Sequence, residues 1–150
     1  MLLSKKSKIG RKIEEIEIGE KLTLTEKIED KDLLLYLGLT GDSNPLYIQH
    51  DFAALTPYKK PVVPIIMLSG IITSAISKYL PGPGSFITHH DITYEKPVYH
   101  YENVQFLFQV VEVHKTVNTI IILVEGQNEQ GETVIEGRVT VSPPRDLMEQ

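Results

Sequence analysis

The sequence contains no cysteine, which removes disulfides, thiolate nucleophiles and zinc–thiolate sites and agrees with a reducing compartment. No apolar run approaches the ~20 residues that a membrane-spanning helix needs. The opening residues, Met1-Leu2-Leu3-Ser4-Lys5-Lys6, lack the apolar stretch of a secretory signal. A cytoplasmic protein without membrane insertion is the expectation. Positive charge is scarce too: 15 Lys and Arg against 20 Asp and Glu leave a net charge of -5. That is the wrong sign for displacing counterions from phosphates, so no nucleic-acid partner is expected. The sequence has no cluster with metal-ligand spacing, no glycine-rich phosphate cradle after a strand and no nucleophilic-serine motif. Neither a metal nor a bound cofactor is expected.

What is present suits one globular domain. At 150 residues, 41% apolar and 23% charged, a chain buries about 68–70% of its unfolded surface around a single core. Five of the 15 basic residues fall between Lys5 and Lys12. They form either a basic arm for an acidic partner, such as coenzyme phosphates, or a solvated N-terminus. The expected division is a charged arm over residues 1–15, one domain over 16–144 and a tail over 145–150.

Ile16 to Ile28 alternates polar and apolar residues through Ile18, Leu22 and Leu24, which predicts a first strand. Asp30 is placed to cap the next element with its carboxylate. Leu33, Leu34 and Leu37 then form the stripe of a short helix ending near Gly38. Gly38 to Pro61 reads as a long loop rich in Gly, Asn, Pro and Asp, with one helical turn available over Asp51 to Leu55. Val62 to Tyr79 is apolar on more than one face, which predicts a helix buried on most sides. Pro81-Gly82-Pro83-Gly84 stops it.

Four strands are predicted after that, over Phe86 to Tyr94, Val104 to Val113, Thr119 to Val124 and Thr133 to Val141. In the last, Ile135, Gly137, Val139 and Val141 alternate with Glu136, Arg138 and Thr140, the pattern of a half-exposed antiparallel strand. Pro143-Pro144 ends it. His89 and His90, adjacent in a strand, point to opposite faces and cannot act as a pair. A helix as apolar as Val62 to Tyr79 needs a sheet wrapped around it, so the expected class is α+β, in a single domain.

Inside the long loop stands Gly41-Asp42-Ser43-Asn44-Pro45-Leu46-Tyr47, followed by Phe52-Ala53-Ala54 and by Tyr58-Lys59-Lys60-Pro61-Val62-Val63-Pro64-Ile65-Ile66-Met67-Leu68. Leu80-Pro81-Gly82-Pro83-Gly84, Lys96-Pro97-Val98 and the turn Asn128-Glu129-Gln130-Gly131-Glu132 come after. In order and spacing these resemble the MaoC-like dehydratases, a family that includes the (R)-specific enoyl-CoA hydratases, over roughly residues 16 to 142. The resemblance implies a hotdog fold, an antiparallel sheet curled around a central helix. It also implies a homodimer or higher homo-oligomer that binds the thioester between subunits. The substrate is then an acyl thioester of coenzyme A or of acyl carrier protein. In such enzymes an aspartate and a histidine hold a water that adds across the double bond of an enoyl thioester.

Carried onto this chain, Asp42 matches the aspartate and Asn44 the asparagine that braces the loop. Tyr47 falls where the family has histidine. A phenol with an ordinary pKa near 10 is a poor base at neutral pH, whereas imidazole titrates near 6.5; Tyr47 is left to orient a water or to donate to the substrate. His50, three residues on, is the candidate replacement imidazole. Asp42 itself has two readings, a catalytic carboxylate or a turn former, and burial beside apolar groups would raise its pKa. Tyr58 and Pro64 belong to the substrate-binding stretch. Ile65 stands in place of a family glycine at the start of the central helix: either its N–H polarises the thioester carbonyl, or its side chain fills the pocket. Lys59 and Lys60 either meet coenzyme phosphates or are solvated surface. Three functions follow from the resemblance: a hydratase or dehydratase, a non-catalytic partner subunit paired with a catalytic paralogue, and, ranked below both, a thioesterase.

Overall fold

The computed structural model describes residues 9–147. Its elements, in chain order, are β1 (Lys21–Glu26), α1 (Asp30–Thr40), α2 (Pro45–Ile48), α3 (His50–Ala54), α4 (Ile65–Tyr79), β2 (Phe86–Tyr94), β3 (Val104–His114), β4 (Thr119–Gln127) and β5 (Thr133–Ser142). The five strands form one antiparallel sheet in the order β1-β3-β4-β5-β2. This is the α+β arrangement that the apolar helix and the strand run predict.

Period-two alternation in the three central strands makes the core. Phe106, Phe108 and Val110 on β3, Ile120, Ile122 and Val124 on β4, and Val139 and Val141 on β5 are buried on one face. Leu68, Ile72, Ala75 and Ile76 of α4 pack against them in a single cluster. Burying a branched or aromatic side chain of this kind stabilises a fold by about 1.5–3 kcal/mol, so the four α4 residues anchor the helix to the sheet. The same spacing leaves the opposite side of α4 open, with Ile65 48% and Ile66 58% exposed. The expectation of a helix buried on most sides is corrected: the sheet covers one face of α4.

Several boundaries differ from the sequence reading, among them the start of the central helix, at Ile65 rather than Val62. β1 is confined to Lys21–Glu26, because Ile13–Glu15 forms a 3-10 turn and the Gly19 N–H bonds to Val110 O at 2.8 Å before the ladder begins. α1 is capped at Glu29 rather than Asp30: the Asp32 carboxylate reaches back to accept the Glu29 N–H at 2.9 Å. α1 also continues past Gly38 to Thr40. The long loop contains two short helices, α2 and α3, where one turn is predicted.

Among the described residues β2 is an edge strand that pairs only with β5, and the two approach closely at one point. A methyl group built on Gly137 would lie 2.1 Å from Asp91 O and 2.6 Å from Ile92 Cα. Only glycine lets β2 cross there. Among the described residues, no helix is long and apolar enough to cross a membrane.

Candidate active site

The site begins at the end of α1. Gly41 adopts a left-handed backbone, φ 69°, and its N–H closes on Leu37 O at 2.8 Å. The reversal returns the chain over the last helical turn, where Asp42 meets Tyr36. The Tyr36 hydroxyl donates to Asp42 Oδ2 at 2.7 Å, and the Asn44 N–H donates to Oδ1 at 3.0 Å. These bonds favour the ionised carboxylate: the Tyr36 hydroxyl, then the Asn44 backbone, hold Asp42 below the ordinary carboxylate range against the opposing effect of burial. The direction is opposite to that expected from apolar burial, because the carboxyl group sits among donors. Tyr36 responds in the complementary sense, pushed up by its hydrogen bond to Asp42 and then by burial.

Asn44 acts on the backbone. Its Oδ1 accepts the Leu46 N–H at 3.0 Å, capping α2, and Pro45 occupies the first helical position. The Tyr47 N–H closes on Asn44 O at 3.0 Å. Asn44 therefore fixes the turn that carries Tyr47.

The start of α4 is held against the β2–β3 connection. The Val63 N–H bonds to Val98 O at 2.8 Å, the Val62 N–H to Leu46 O at 3.2 Å, and Val62 bridges to Tyr99. Buried Pro64 caps the helix, and the Met67 N–H turns back onto Pro64 O at 3.0 Å. Helix geometry leaves the N–H groups of Ile65 and Ile66 without intrahelical acceptors, at the positive end of the helix dipole.

Two cavities meet at Tyr47. A recess of about 220 Å³ at the α4 N-terminus is lined by Tyr47, Tyr58, Ile65, Leu68, Tyr94 and Pro97, among others. A larger cavity of about 670 Å³ lies between α1, the α2–α3 region and the β2–β3 connection, with Leu33, Leu37, Ile48, His50, Lys60 and His100 on its walls. Tyr47 lines both. The structure thus brings Tyr47 together with Tyr58 and Ile65 on one side and with His50 on the other. Asp42 lines neither cavity.

His100 is a residue that sequence reasoning missed. Both of its ring nitrogens are buried without a hydrogen-bond partner among the described residues. Burial pushes its imidazole below the ordinary histidine value; Asp30 and the Val62 backbone oppose the shift, and His50 adds to it. Nothing in the turn-like stretch around it sets it apart, since its neighbours His50 and Asp30 are distant in sequence.

The remaining candidates separate clearly. The Lys60 Nζ lies 4.6 Å from the centre of the Tyr99 ring, and the Tyr99 hydroxyl donates to Tyr58 O at 2.8 Å. Both lysines are exposed; Lys60 lies at the larger cavity with this cation–π contact, and Lys59 lines neither cavity. In the basic arm, Arg11 pairs with Glu20 and Lys12 with Asp146; Lys5, Lys6 and Lys8 lie outside the described residues. His89 and His90 are both exposed on the edge strand β2. Among the described residues, no three His, Asp or Glu side chains group as metal ligands.

Comparison with known proteins agrees with this architecture. An (R)-specific enoyl-CoA hydratase from Rhodospirillum rubrum is 29% identical over 85 residues, a match covering 57% of this chain and 59% of that one. The matched region thus spans about three fifths of that relative's length. Among solved structures, the R-hydratase PhaJ1 from Pseudomonas aeruginosa superposes with a TM-score of 0.82 at 25% identity, covering 94% of each chain. A chain of the ChsH1-ChsH2 complex from Mycobacterium tuberculosis shares the fold, with a TM-score of 0.75 at 22% identity over 85% of this chain and 98% of that one. The family model described as the MaoC-like domain matches residues 8–138. With the curled sheet, the central helix and the Gly41–Tyr47 loop in place, that match identifies the chain as a member of the MaoC-like dehydratase family.

Proposed function

We propose that this protein is a hydratase or dehydratase of acyl thioesters, carried by coenzyme A or acyl carrier protein, in which Asp42 holds the reacting water. The observation that carries the reading is the Asp42 carboxylate, ionised and fixed by two donors beside the loop that presents Tyr47 to the α4 N-terminus. A carboxylate offers about four lone-pair sites, so two remain for a water. In hydration, Asp42 accepts a proton from that water as its oxygen bonds to the β-carbon of the enoyl thioester. The proton then passes to the α-carbon, and the carbon–carbon double bond becomes single. Negative charge that develops on the thioester oxygen is stabilised by the Ile65 N–H and the helix dipole. Tyr47 orients the water or the carbonyl by hydrogen bonding; His50 faces the same cavity as Tyr47, as does His100, and is the imidazole proposed to assist.

The test follows the loss of enoyl-thioester absorbance with crotonyl-CoA. Asp42→Asn keeps the shape but removes the charge, and general-base groups contribute about 10²–10⁴-fold. Turnover by the wild type that is no faster than by Asp42→Asn refutes the catalytic reading.

A second reading, a non-catalytic partner of a heteromeric dehydratase, is favoured by one observation: the family histidine position holds Tyr47. The related fold in a two-component complex supports it. Either way a second chain is proposed, a copy of this one in a homodimer or a catalytic paralogue. The edge strand β2 and exposed Ile65 and Ile66 supply unpaired surface for it. Co-purification from the native cell separates the two, because recovery as a homodimer alone eliminates the obligate-partner version.

A further inference from the structure

We propose that Tyr36 is the positioning residue for Asp42, its hydroxyl occupying one face of Oδ2 so that the carboxylate presents a fixed pair of lone pairs to the reacting water. Two separate links tie these residues. The Tyr36 hydroxyl bonds directly to Oδ2 at 2.7 Å. In addition, the Thr40 hydroxyl donates to Tyr36 O at 2.8 Å while its oxygen accepts the Asp42 N–H at 3.1 Å, so both ends of the contact are anchored to one helical turn. Gly41 supplies the reversal that makes a contact six residues apart possible.

The arrangement fits a positioning role better than a scaffolding one. Tyr36 and Asp42 are both half-buried, so their bond is only partly shielded from water. A bond of that kind adds modestly to stability, but it strongly restricts the orientation of the charged group. Among the described residues, Asp42 has no ion-pair partner; the only side chain that bonds to its carboxylate is Tyr36. The remaining bond to that carboxylate, from the Asn44 N–H, comes from the backbone and survives any substitution of side chains. The phenol therefore controls the orientation and basicity of Asp42. Held as an anion, Asp42 stays competent into acid solution but is a weaker base at neutrality, which offsets part of the benefit of orientation.

The kinetic half of this proposal rests on the hydratase reading; the electrostatic half does not. Tyr36→Phe keeps the ring and removes the donor. Expected first is a rise in the Asp42 titration midpoint, followed by the side-chain carboxyl carbon resonance in wild type and variant. Expected second, with crotonyl-CoA, is that the acid limb of kcat/KM moves to higher pH and kcat falls about ten- to a hundredfold with little change in KM. In the reciprocal variant, Asp42→Asn, the alkaline midpoint of Tyr36 falls, which the difference between 295 nm absorbance titrations with and without Tyr36→Phe reads without requiring turnover. An unchanged Asp42 midpoint in a folded Tyr36→Phe protein overturns the proposal, and so does loss of stability with an unmoved acid limb. A shifted midpoint in a chain without turnover upholds the Tyr36–Asp42 coupling and sinks only the hydratase reading.

Discussion

The same methyl group should have opposite effects at two glycines of this chain. At Gly137 an added Cβ meets Asp91 O at 2.1 Å and Ile92 Cα at 2.6 Å. Both are main-chain atoms, so no side chain can swing aside, and β2 must retreat from β5 by about an ångström. Overpacking of this kind costs about 1–3 kcal/mol. For a chain of this length each kcal/mol moves Tm by about 2–4 °C, so Gly137→Ala should lower Tm by about 2–12 °C. At Gly38, exposed in α1, an added Cβ has nothing within 4 Å and the backbone is helical. Alanine there removes unfolded-state freedom and stabilises by roughly 0.5–1 kcal/mol, raising Tm by about 1–4 °C. Thermal unfolding followed by circular dichroism measures both. Hydrogen exchange should locate the damage of Gly137→Ala in β2, which among the described residues is laddered to β5 alone. A Gly137→Ala protein that melts with the wild type would refute the close crossing, and a destabilised Gly38→Ala would refute the reasoning about open space.

Two further outcomes follow from the site. Asn44→Ala removes the α2 cap and should cost about 0.5–2 kcal/mol, read from the urea midpoint, with KM for crotonyl-CoA rising as the Tyr47 turn loosens. His100 gives the fold an acid sensitivity of defined sign. Its folded pKa is depressed by burial, so the unfolded chain binds a proton where the folded chain does not. The stability is intact above the ordinary histidine range near 6.5 and is lost as pH falls from there toward the lower folded value. Asp42 and Glu132, both lowered, lose their contributions only at still lower pH, within the carboxylate range. His100→Val should flatten the upper of these two windows in pH-dependent melting curves, and an unchanged slope near pH 6 would count against the assignment.

Period-two patterning made most of the sheet legible. β2 runs over Phe86–Tyr94 as read from the sequence, and β3 differs by a single residue. β4 continues three residues further, to Gln127, because Glu125 and Gln127 keep their ladder partners on β3 despite their polarity. The first strand was over-read, since alternation through Ile16 and Ile18 cannot reveal the tight turn at Gly19. At the site, Asn44, expected from the resemblance to brace the loop, does so as the cap of α2, whereas the central helix begins at Ile65 rather than at Val62, because Pro64 stands just before its first turn. The Tyr36–Asp42 contact was hidden because it depends on the left-handed backbone of Gly41. His100 was hidden because its burial comes from elements far away in sequence.

Tyr47 borders both the recess at the α4 N-terminus and one about three times larger. Any replacement at this position is consequently a change of architecture as well as of chemistry. Phenylalanine would retain the ring while deleting its hydroxyl. Histidine would install the proton carrier usual in the family, with a smaller ring bordering the two recesses. In this chain a single side chain borders both recesses, so a substitution there alters the shape of each.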